Sequence, residues 1–314
     1  MSASIASLLE NNRVAERVCI HILSNGISTA NEEKLRAFVS HYGRELFFYD
    51  ISDISRILSD RLGTAADTGS FSPTVMARLF AAEYLPDTVD RYLYLDADTL
   101  VLRMIADFYS MDLKGAAAAV CPEPTIYRET RDKLGLGEAE PYFNSGVMLI
   151  DRYAYTEQNI AGKCMEYMSE HNGELHFPDQ DVLNYALKGR IVIADQSYNF
   201  LTNYQYWSFR ALKKMSPWYG DCITEKAYNN AQGHPAVVHF AGDERPWING
   251  SFNPYKGAYE AYLKLTPWAG EGTVYGKLGY MFLYHCMNMV TFFAPGIRLL
   301  ISELYYKRFL ERKS

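Results

Sequence analysis

The stretch Arg91-Tyr-Leu-Tyr-Leu-Asp96-Ala97-Asp98-Thr-Leu-Val-Leu102 decides the fold, because an apolar strand delivers two carboxylates at its end. Side chains at positions i and i+2 of a strand share a face, so Asp96 and Asp98 are predicted to reach one cation. Open α/β sheets bind ligands at the carboxyl ends of their strands. Carboxylate oxygens suit Mg²⁺ or Mn²⁺ held together with substrate phosphates. The stretch therefore indicates a metal and diphosphate site, and an exposed turn is the alternative.

Three further polar clusters follow along the chain, each at the edge of an apolar element. The first is Pro141-Tyr-Phe-Asn144-Ser145-Gly146-Val-Met-Leu-Ile-Asp151, a polar turn that enters a buried strand. The second is Phe177-Pro-Asp179-Gln180-Asp181-Val-Leu-Asn184, with carboxylates and amides at a helix start. The third is Ala236-Val-Val-His239-Phe-Ala-Gly242-Asp-Glu-Arg245-Pro-Trp247, a strand that ends at a histidine.

The order of these motifs resembles that of the retaining glycosyltransferases of family 8, which include bacterial lipopolysaccharide galactosyltransferases and glycogenin. The resemblance covers roughly residues 15 to 250. It implies transfer of glucose or galactose from a UDP-sugar to a glycan or glycolipid hydroxyl. It also implies that Asp96, Asp98 and His239 ligate a metal, with Mn²⁺ preferred over Mg²⁺ because imidazole nitrogen suits transition metals. A core histidine is the ordinary alternative for His239.

The resemblance further assigns residues to the donor and the acceptor. Asp179 and Gln180 are the implied catalytic residues, beneath the anomeric carbon, with helix capping as the alternative for Asp179. Glu123 falls roughly where the family often has an aspartate near the acceptor, and Ser70 stands where some relatives have histidine. The residues implied to bind the nucleotide sugar are Arg78, Asp96, Ala97, Asp98, Asn144, Ser145, Asp179, Gln180, His239, Gly242 and Arg245, the last replacing the more usual lysine.

Strand and helix patterns alternate along the chain, which indicates an α/β fold. We expect a single GT-A-type, Rossmann-like domain with a mixed, mainly parallel sheet and a helical C-terminal extension. Residues 1–255 are predicted to form the nucleotide-sugar-binding catalytic domain, and residues 256–314 a helical, aromatic and basic region. A capping box predicts a helix from Thr29 to about His41, and Pro73 precedes a predicted helix from Thr74 to Tyr84.

The first strand of such a sheet is missing from the sequence, which begins with a helical pattern over residues 4–10. In family 8 that strand ends in an Asp-Asp-x-Tyr-like segment that contacts the uridine. A start codon assigned too far downstream or a true truncation would explain this, and either predicts two neighbouring strands without a partner. A catalytically impaired nucleotide-sugar-binding protein is therefore the alternative function. A metal-dependent nucleotidyltransferase is disfavoured, because no Gly-rich triphosphate loop is found.

The composition limits the partners. The net charge of −6 and the lack of a basic run outside the C-terminus give no support for nucleic-acid binding. Five scattered cysteines without C-x-x-C spacing fit a reducing cytosol, and no signal peptide is recognised. We therefore expect a cytoplasmic protein.

The C-terminal region is expected to lie on a surface rather than to span a membrane. Residues 276–290 are apolar and aromatic, but Ala294-Pro295-Gly296 interrupts the run. From Ile297 apolar residues recur at helical spacing, and four Lys and Arg residues follow between positions 307 and 313. This pattern favours peripheral contact with the inner face of the cell membrane. A helix that caps the main domain or forms the seam of a homo-oligomer is the alternative.

Overall fold

The computed structural model describes residues 1–63, 72–171, 175–298, 300, 301 and 304. Ser70 and the basic residues after position 304 lie outside the described residues. The strands are β1 (Cys19–Ser24), β2 (Glu45–Asp50), β3 (Arg91–Leu95), β4 (Thr99–Val101), β5 (Ala118–Pro122), β6 (Phe143–Asp151), β7 (Ile191–Ile193), β8 (Phe200–Leu201) and β9 (Val237–His239).

Helices flank these strands and connect them. The α-helices are α1 (Ser2–Asn11), α2 (Thr29–His41), α3 (Ile54–Leu62), α4 (Ala81–Tyr84), α5 (Ala106–Tyr109), α6 (Arg128–Lys133), α7 (Arg152–Glu157), α8 (Ile160–Glu170), α9 (Pro178–Ala186), α10 (Phe209–Met215), α11 (Tyr219–Cys222), α12 (Glu225–Gly233), α13 (Lys256–Lys264) and α14 (Leu278–Phe293). Further 3₁₀ helices cover Pro73–Phe80, Gln196–Asn199 and Thr202–Tyr206.

The sheets are mixed, as predicted. β1 pairs in parallel with β2, four strands follow the order β3-β6-β5-β7, and three follow the order β4-β9-β8. Three of the strand pairings are parallel, β1 with β2, β5 with β7 and β8 with β9. Three are antiparallel, β6 with both of its neighbours, β3 and β5, and β4 with β9. Alternation of helix and strand patterns alone does not reveal which pairs are antiparallel.

β6 forms the centre of the core. Eight of its nine residues are buried, and only the terminal Asp151 is partly exposed. Met148 and Ile150 pack into the largest hydrophobic cluster, whereas Val147 and Leu149 pack into a second cluster on the other face. A strand buried on both faces reads as a continuous apolar run, as this one does. It carries Asn144, Ser145 and Gly146 into the interior, where the site is built.

Each of the three sheets ends in strands that have no further ladder partner among the described residues. β1 pairs only with β2, and β3 is an end strand of its sheet. All five residues of β3 are only partly buried, although its sequence is largely apolar and aromatic.

Local predictions hold in part. The helix from Thr29 to His41 is found with those bounds. The segment from Thr74 to Tyr84 is 3₁₀ over Pro73–Phe80 and α-helical only over α4. No helix of the described residues is long and apolar enough to cross a membrane.

Candidate active site

The two aspartates lie in a turn rather than within a strand. β3 ends at Leu95 and β4 begins at Thr99, so Asp96, Ala97 and Asp98 connect two different sheets. Asp96 and Asp98 therefore do not share one face of a strand, contrary to the prediction, but both carboxylates still converge on one point. The register of β4 with β9 explains this, because it sets Thr99 opposite His239.

Asp96, Asp98 and His239 form a compact donor set. One ligand atom from each lies within 4.8 Å of the others. His239 Nε2 is 3.3 Å from Asp98 Oδ1 and 3.7 Å from Asp96 Oδ2. Among the described residues this is the only group of three His, Cys, Asp or Glu side chains arranged closely enough to hold a metal ion.

Two amide oxygens orient the imidazole. His239 Nδ1 lies 3.1 Å from Asn144 Oδ1 and 3.2 Å from Asn199 Oδ1. Both oxygens are acceptors, so Nδ1 carries a proton and donates it to them, and Nε2 faces the carboxylates. A metal-binding histidine typically donates its second ring N–H in this way. Two carboxylates and a correctly oriented imidazole fit Mn²⁺, and also Mg²⁺.

Gly146 leaves the space that the triad occupies. A Cβ atom at this position would lie 2.3 Å from His239 Cε1 and 2.7 Å from Asp96 Oδ2. The Gly146 carbonyl also accepts a hydrogen bond of 2.8 Å from Asp96 N. Backbone of β6 thus contacts the triad directly, where any side chain would clash.

Arg78 is a buried cation among carboxylates. Its side chain extends from the 3₁₀ helix Pro73–Phe80. Arg78 Nη2 lies 2.9 Å from Asp96 Oδ1, and Arg78 Nε lies 3.1 Å from Asp179 Oδ2. Arg78 also donates to Ser145 Oγ at 2.9 Å. Burial acts to lower the pKa of Arg78, but the carboxylates, Asp96 foremost, outweigh it and hold the pKa above its ordinary value. Arg78 is therefore charged and joins the metal triad to α9.

The electrostatics favour the charged forms of Asp98 and His239. Burial acts to raise the pKa of Asp98, but His239 and Arg245 lower it to about 2. Burial acts to lower the pKa of His239, and the two aspartates, Asp98 foremost, more than compensate and raise it. A divalent cation would replace the proton in this arrangement, since only the neutral imidazole ligates a metal.

Asp179 and Gln180 begin α9 and face the end of β6. Gln180 Oε1 accepts from Asn144 Nδ2 at 2.9 Å and from Ser145 N at 3.1 Å. Gln180 Nε2 donates to Glu123 Oε2 at 3.1 Å. Asp179 Oδ2 accepts from Ser145 Oγ at 3.1 Å. Both ends of the Gln180 amide are thus fixed by hydrogen bonds.

Two further carboxyls lie behind this group. Burial raises the pKa of Glu123, although Asn144, Thr125 and Gln180 donate to its oxygens and oppose the rise. Burial raises the pKa of Asp181 to about 6, and the donors at Tyr142 Oη, Phe177 N and His176 N limit that rise. Asp181 therefore anchors the start of α9.

Gly242 and Arg245 lie in the loop that follows β9. Arg245 donates to Asp98 Oδ2 at 3.1 Å and to the Gly242 carbonyl at 3.0 Å. Gly242 has a φ of +89°, a backbone conformation that favours glycine. The guanidinium is partly exposed beside the triad, so it can meet an anion there.

The predicted site residues lie together around the start of β6. Two further residues, which were not predicted from the sequence, also belong to the site. Asn199 is fully buried and orients His239, and Tyr94 donates to Asp96 Oδ1 at 2.8 Å. Tyr94 stands two residues before Asp96, a spacing that could have indicated it. Asn199 closes the polar run from Asp195, which follows β7 as the other clusters follow theirs. Ala97 is exposed between the two aspartates.

Several known proteins resemble this chain in sequence or in fold. General stress protein A of Bacillus subtilis is 26% identical over 271 residues, which cover 85% of this chain and 90% of that protein. Lipopolysaccharide 1,2-glucosyltransferase of Escherichia coli K12 is 28% identical over 278 residues, 86% of this chain and 75% of that protein. The crystal structure of galactosyltransferase LgtC with donor and acceptor sugar analogues has a TM-score of 0.68 and 26% identity, and the match covers 88% of this chain and 92% of that one.

The family model described as "Glycosyl transferase family 8" matches residues 1–250, well over half of the chain. Its span includes the triad, Arg78, the start of α9 and Arg245. The chain therefore belongs to glycosyltransferase family 8 and is a transferase with the GT-A fold.

Proposed function

We propose that the chain is a Mn²⁺-dependent, retaining hexosyltransferase that moves glucose or galactose from a UDP-sugar to a hydroxyl of a glycan or glycolipid. The arrangement of Asp96, Asp98 and His239 beside the cation of Arg245 carries this proposal. A relative that is a lipopolysaccharide 1,2-glucosyltransferase and another that is a lipopolysaccharide 1,3-galactosyltransferase support a hexose donor and a lipopolysaccharide-type acceptor.

The donor diphosphate would lie between the triad and the loop after β9. A divalent cation at the triad would neutralise charge on the leaving diphosphate. Arg245 adds a second positive charge at the partly exposed mouth of this site, and the positive φ of Gly242 lets the backbone approach closely. Charge neutralisation at the leaving group is the largest single requirement of the transfer.

The donor sugar would contact the start of α9. Arg78, Asn144 and Asp179 present polar atoms there, and Gln180, which is held by hydrogen bonds to Asn144 and Ser145, would lie beneath the anomeric carbon. Retention with a covalent intermediate needs a carboxylate nucleophile. The amide of Gln180 is a poor nucleophile, and Asp181 is buried and occupied by three donors. We therefore favour front-side displacement, in which the leaving phosphate accepts the proton of the acceptor hydroxyl.

Glu123 is proposed to contact the acceptor. It is partly exposed, and it shares its carboxylate between Asn144 and Gln180, the two residues next to the proposed donor sugar. A carboxylate in this position can accept a hydrogen bond from the attacking hydroxyl and aim it.

We propose that the two regions of the chain that meet at residue 255 have different roles. Residues 1–255 would bind and turn over the nucleotide sugar, and residues 256–314 would make peripheral contact with a membrane. Exposed apolar side chains support the second part, and a second copy of the chain is the alternative partner. These side chains on and beyond α14 include Phe282, Leu283, Phe292, Phe293, Ile297 and Leu300.

A nucleotide-sugar-binding protein without turnover is the second candidate. The sequence contains no Asp-Asp-x-Tyr-like segment of the kind that contacts the uridine in family 8, which favours this candidate. Binding of UDP without any hydrolysis of the donor would support this candidate.

The test of the proposed function is Asp96→Asn and Asp98→Asn. Each substitution removes an anionic ligand, so we expect Mn²⁺-dependent hydrolysis of UDP-glucose or UDP-galactose to fall at least about a hundred-fold, with the fold intact. Product UDP is measured in the absence of an acceptor.

Asp107→Asn is the matched control, because Asp107 is an exposed aspartate in α5. It should retain wild-type hydrolysis and wild-type metal dependence. Wild-type turnover in either triad variant would refute the metal assignment. A wild-type chain that binds UDP but never hydrolyses a donor sugar would favour the second candidate.

A further inference from the structure

Glu244 is a buried carboxylate in the loop between β9 and α13, residues 240–255, which we call the donor loop. It precedes Arg245 directly, and its side chain is 6% exposed. Burying a carboxylate is costly unless hydrogen bonds satisfy it. The position of such a group in a loop that holds the proposed diphosphate ligand requires an explanation.

Four donors from other elements satisfy this carboxylate. Oε1 accepts from Phe252 N and from His285 Nδ1, each at 3.2 Å. Oε2 accepts from Asn288 Nδ2 at 2.6 Å and from Tyr206 Oη at 3.4 Å. His285 and Asn288 both belong to α14, so the shortest of these bonds ties the loop to the C-terminal helix.

The same face of α14 follows the loop along its length. Tyr280 Oη donates to Asp243 Oδ2 at 2.6 Å. A Cβ atom on Gly242 would lie 3.1 Å from Tyr284 Oη, and one on Gly250 would lie 2.5 Å from Leu278 Cδ2. The two glycines therefore allow the helix to approach the loop closely at both of its ends.

The geometry of this loop sets the position of Arg245. The Glu244 carbonyl accepts from Asn253 Nδ2 at 2.6 Å, and the next residue, Arg245, reaches Asp98 Oδ2 at 3.1 Å. A peptide unit fixed by both the side chain and the carbonyl of Glu244 restricts where the guanidinium can point. Displacement of a charged group by a small distance weakens its contact with an anion strongly.

We propose that Glu244, with His285 and Asn288, positions the segment from Gly242 to Arg245 for the donor diphosphate, so that α14 is a working part of the donor site. The inference rests on the proposed function, because it takes the diphosphate to bind at Arg245. Glu244 acts through Arg245 and does not itself touch the nucleotide. It is a positioning residue.

The test exchanges the donor and the acceptor of the hydrogen bond between Asn288 and Glu244. Glu244→Gln and Asn288→Asp are each expected to lower the affinity for UDP in the presence of Mn²⁺ by about ten-fold, because each removes a charge-assisted hydrogen bond. In the double variant the Gln amide donates to the new carboxylate, while its oxygen still accepts from Phe252 N and His285. We expect its UDP affinity to return to within about three-fold of the wild type. Calorimetric titration measures these affinities.

Titration with uridine separates positioning from general damage. Uridine lacks the diphosphate, so its binding should be equal in all variants. Cys286→Ala, on the exposed side of the same helix, is the matched control and should bind UDP as the wild type does. If a buried variant fails to fold, Tyr280→Phe removes the hydroxyl that donates to Asp243 and should lower UDP affinity about two-fold without changing uridine binding.

The outcomes distinguish the two claims. A wild-type chain that does not bind UDP with Mn²⁺ overturns the proposed function and this inference with it. Wild-type binding that is unchanged in the folded single variants overturns the inference alone. Equal losses for UDP and uridine, or a double variant no better than the singles, also overturn it.

Discussion

Gly146 shows how closely a single residue can define a site. Its backbone touches the imidazole of His239 and the carboxylate of Asp96, so the strand itself forms one wall of the metal site. The residue has no unusual φ, which means that the requirement for glycine is one of space and not of backbone conformation. The polar start of β6 contains this glycine because nothing larger fits beneath the triad.

We expect Gly146→Ala to lower Mn²⁺ affinity at least about ten-fold, since the added methyl group would displace His239 or Asp96 from the triad. Metal titration by calorimetry or by the electron paramagnetic resonance signal of Mn²⁺ measures this. Gly257→Ala is the matched control, because its Cβ atom would meet nothing within 4 Å. A Gly146 variant with wild-type metal affinity would show that the triad does not hold the cation.

Individual site residues could be predicted where their chemistry is carried by a short motif. Asp96, Asp98 and His239 stand at the ends of apolar segments, where a carboxylate or an imidazole has few ordinary reasons to occur. Asn199 could not be singled out in the same way. Its role depends on the tautomer of His239 and on a parallel pairing of two-residue β8 with β9, which no local pattern encodes.

At the scale of elements, the segment Pro73–Phe80 connects the sheet to α9. It begins with Ser72, whose side chain accepts from Thr74 N, and with a proline in the first turn. The 3₁₀ form was not predicted, since the apolar spacing of this segment fits an α-helix equally well. Its inward face delivers Arg78 between Asp96 and Asp179, and that buried ion pair joins three elements.

Removal of the Arg78 cation should destabilise the contact between the 3₁₀ helix, Asp96 and α9. We expect Arg78→Met to lower the free energy of unfolding by about 3 kcal/mol, because the partly buried carboxylate of Asp96 and the buried carboxylate of Asp179 would lose their counter-ion. Urea denaturation followed by circular dichroism measures the change. Arg56→Met is the control. Arg56 pairs with Asp53 and Asp60 at the surface, so its loss should cost less than about 1 kcal/mol. Equal effects of the two substitutions would contradict the structural role given to Arg78.

For the whole molecule, the class of fold followed from the alternation of elements, but the pairing of strands did not. Antiparallel β6 places the triad, Arg78 and α9 around one strand end, and that depends on contacts between residues far apart in sequence. The short helices between residues 209 and 233 also went unpredicted, because they pack as a group against the aromatic core and show little periodicity of their own.

The C-terminal region gives the prediction at this scale. If it binds an anionic membrane, deletion of residues 297–314 should release the protein from vesicles that contain phosphatidylglycerol without changing donor hydrolysis. Binding of the intact chain should weaken with salt, since each Lys or Arg near the surface contributes on the order of 1 kcal/mol. Vesicle sedimentation at low and high ionic strength measures both. Binding that is insensitive to salt, or absent, would favour a capping helix or a dimer seam.

α14 has two faces with different surroundings. Asn288 is buried and bonded to Glu244 of the donor loop, and Met281 is also buried, while Phe282 and Phe293 are exposed. If a partner that binds the exposed face also favours the donor-bound arrangement of the loop, a bound donor must strengthen the contact with that partner by the same factor, because thermodynamic linkage is reciprocal.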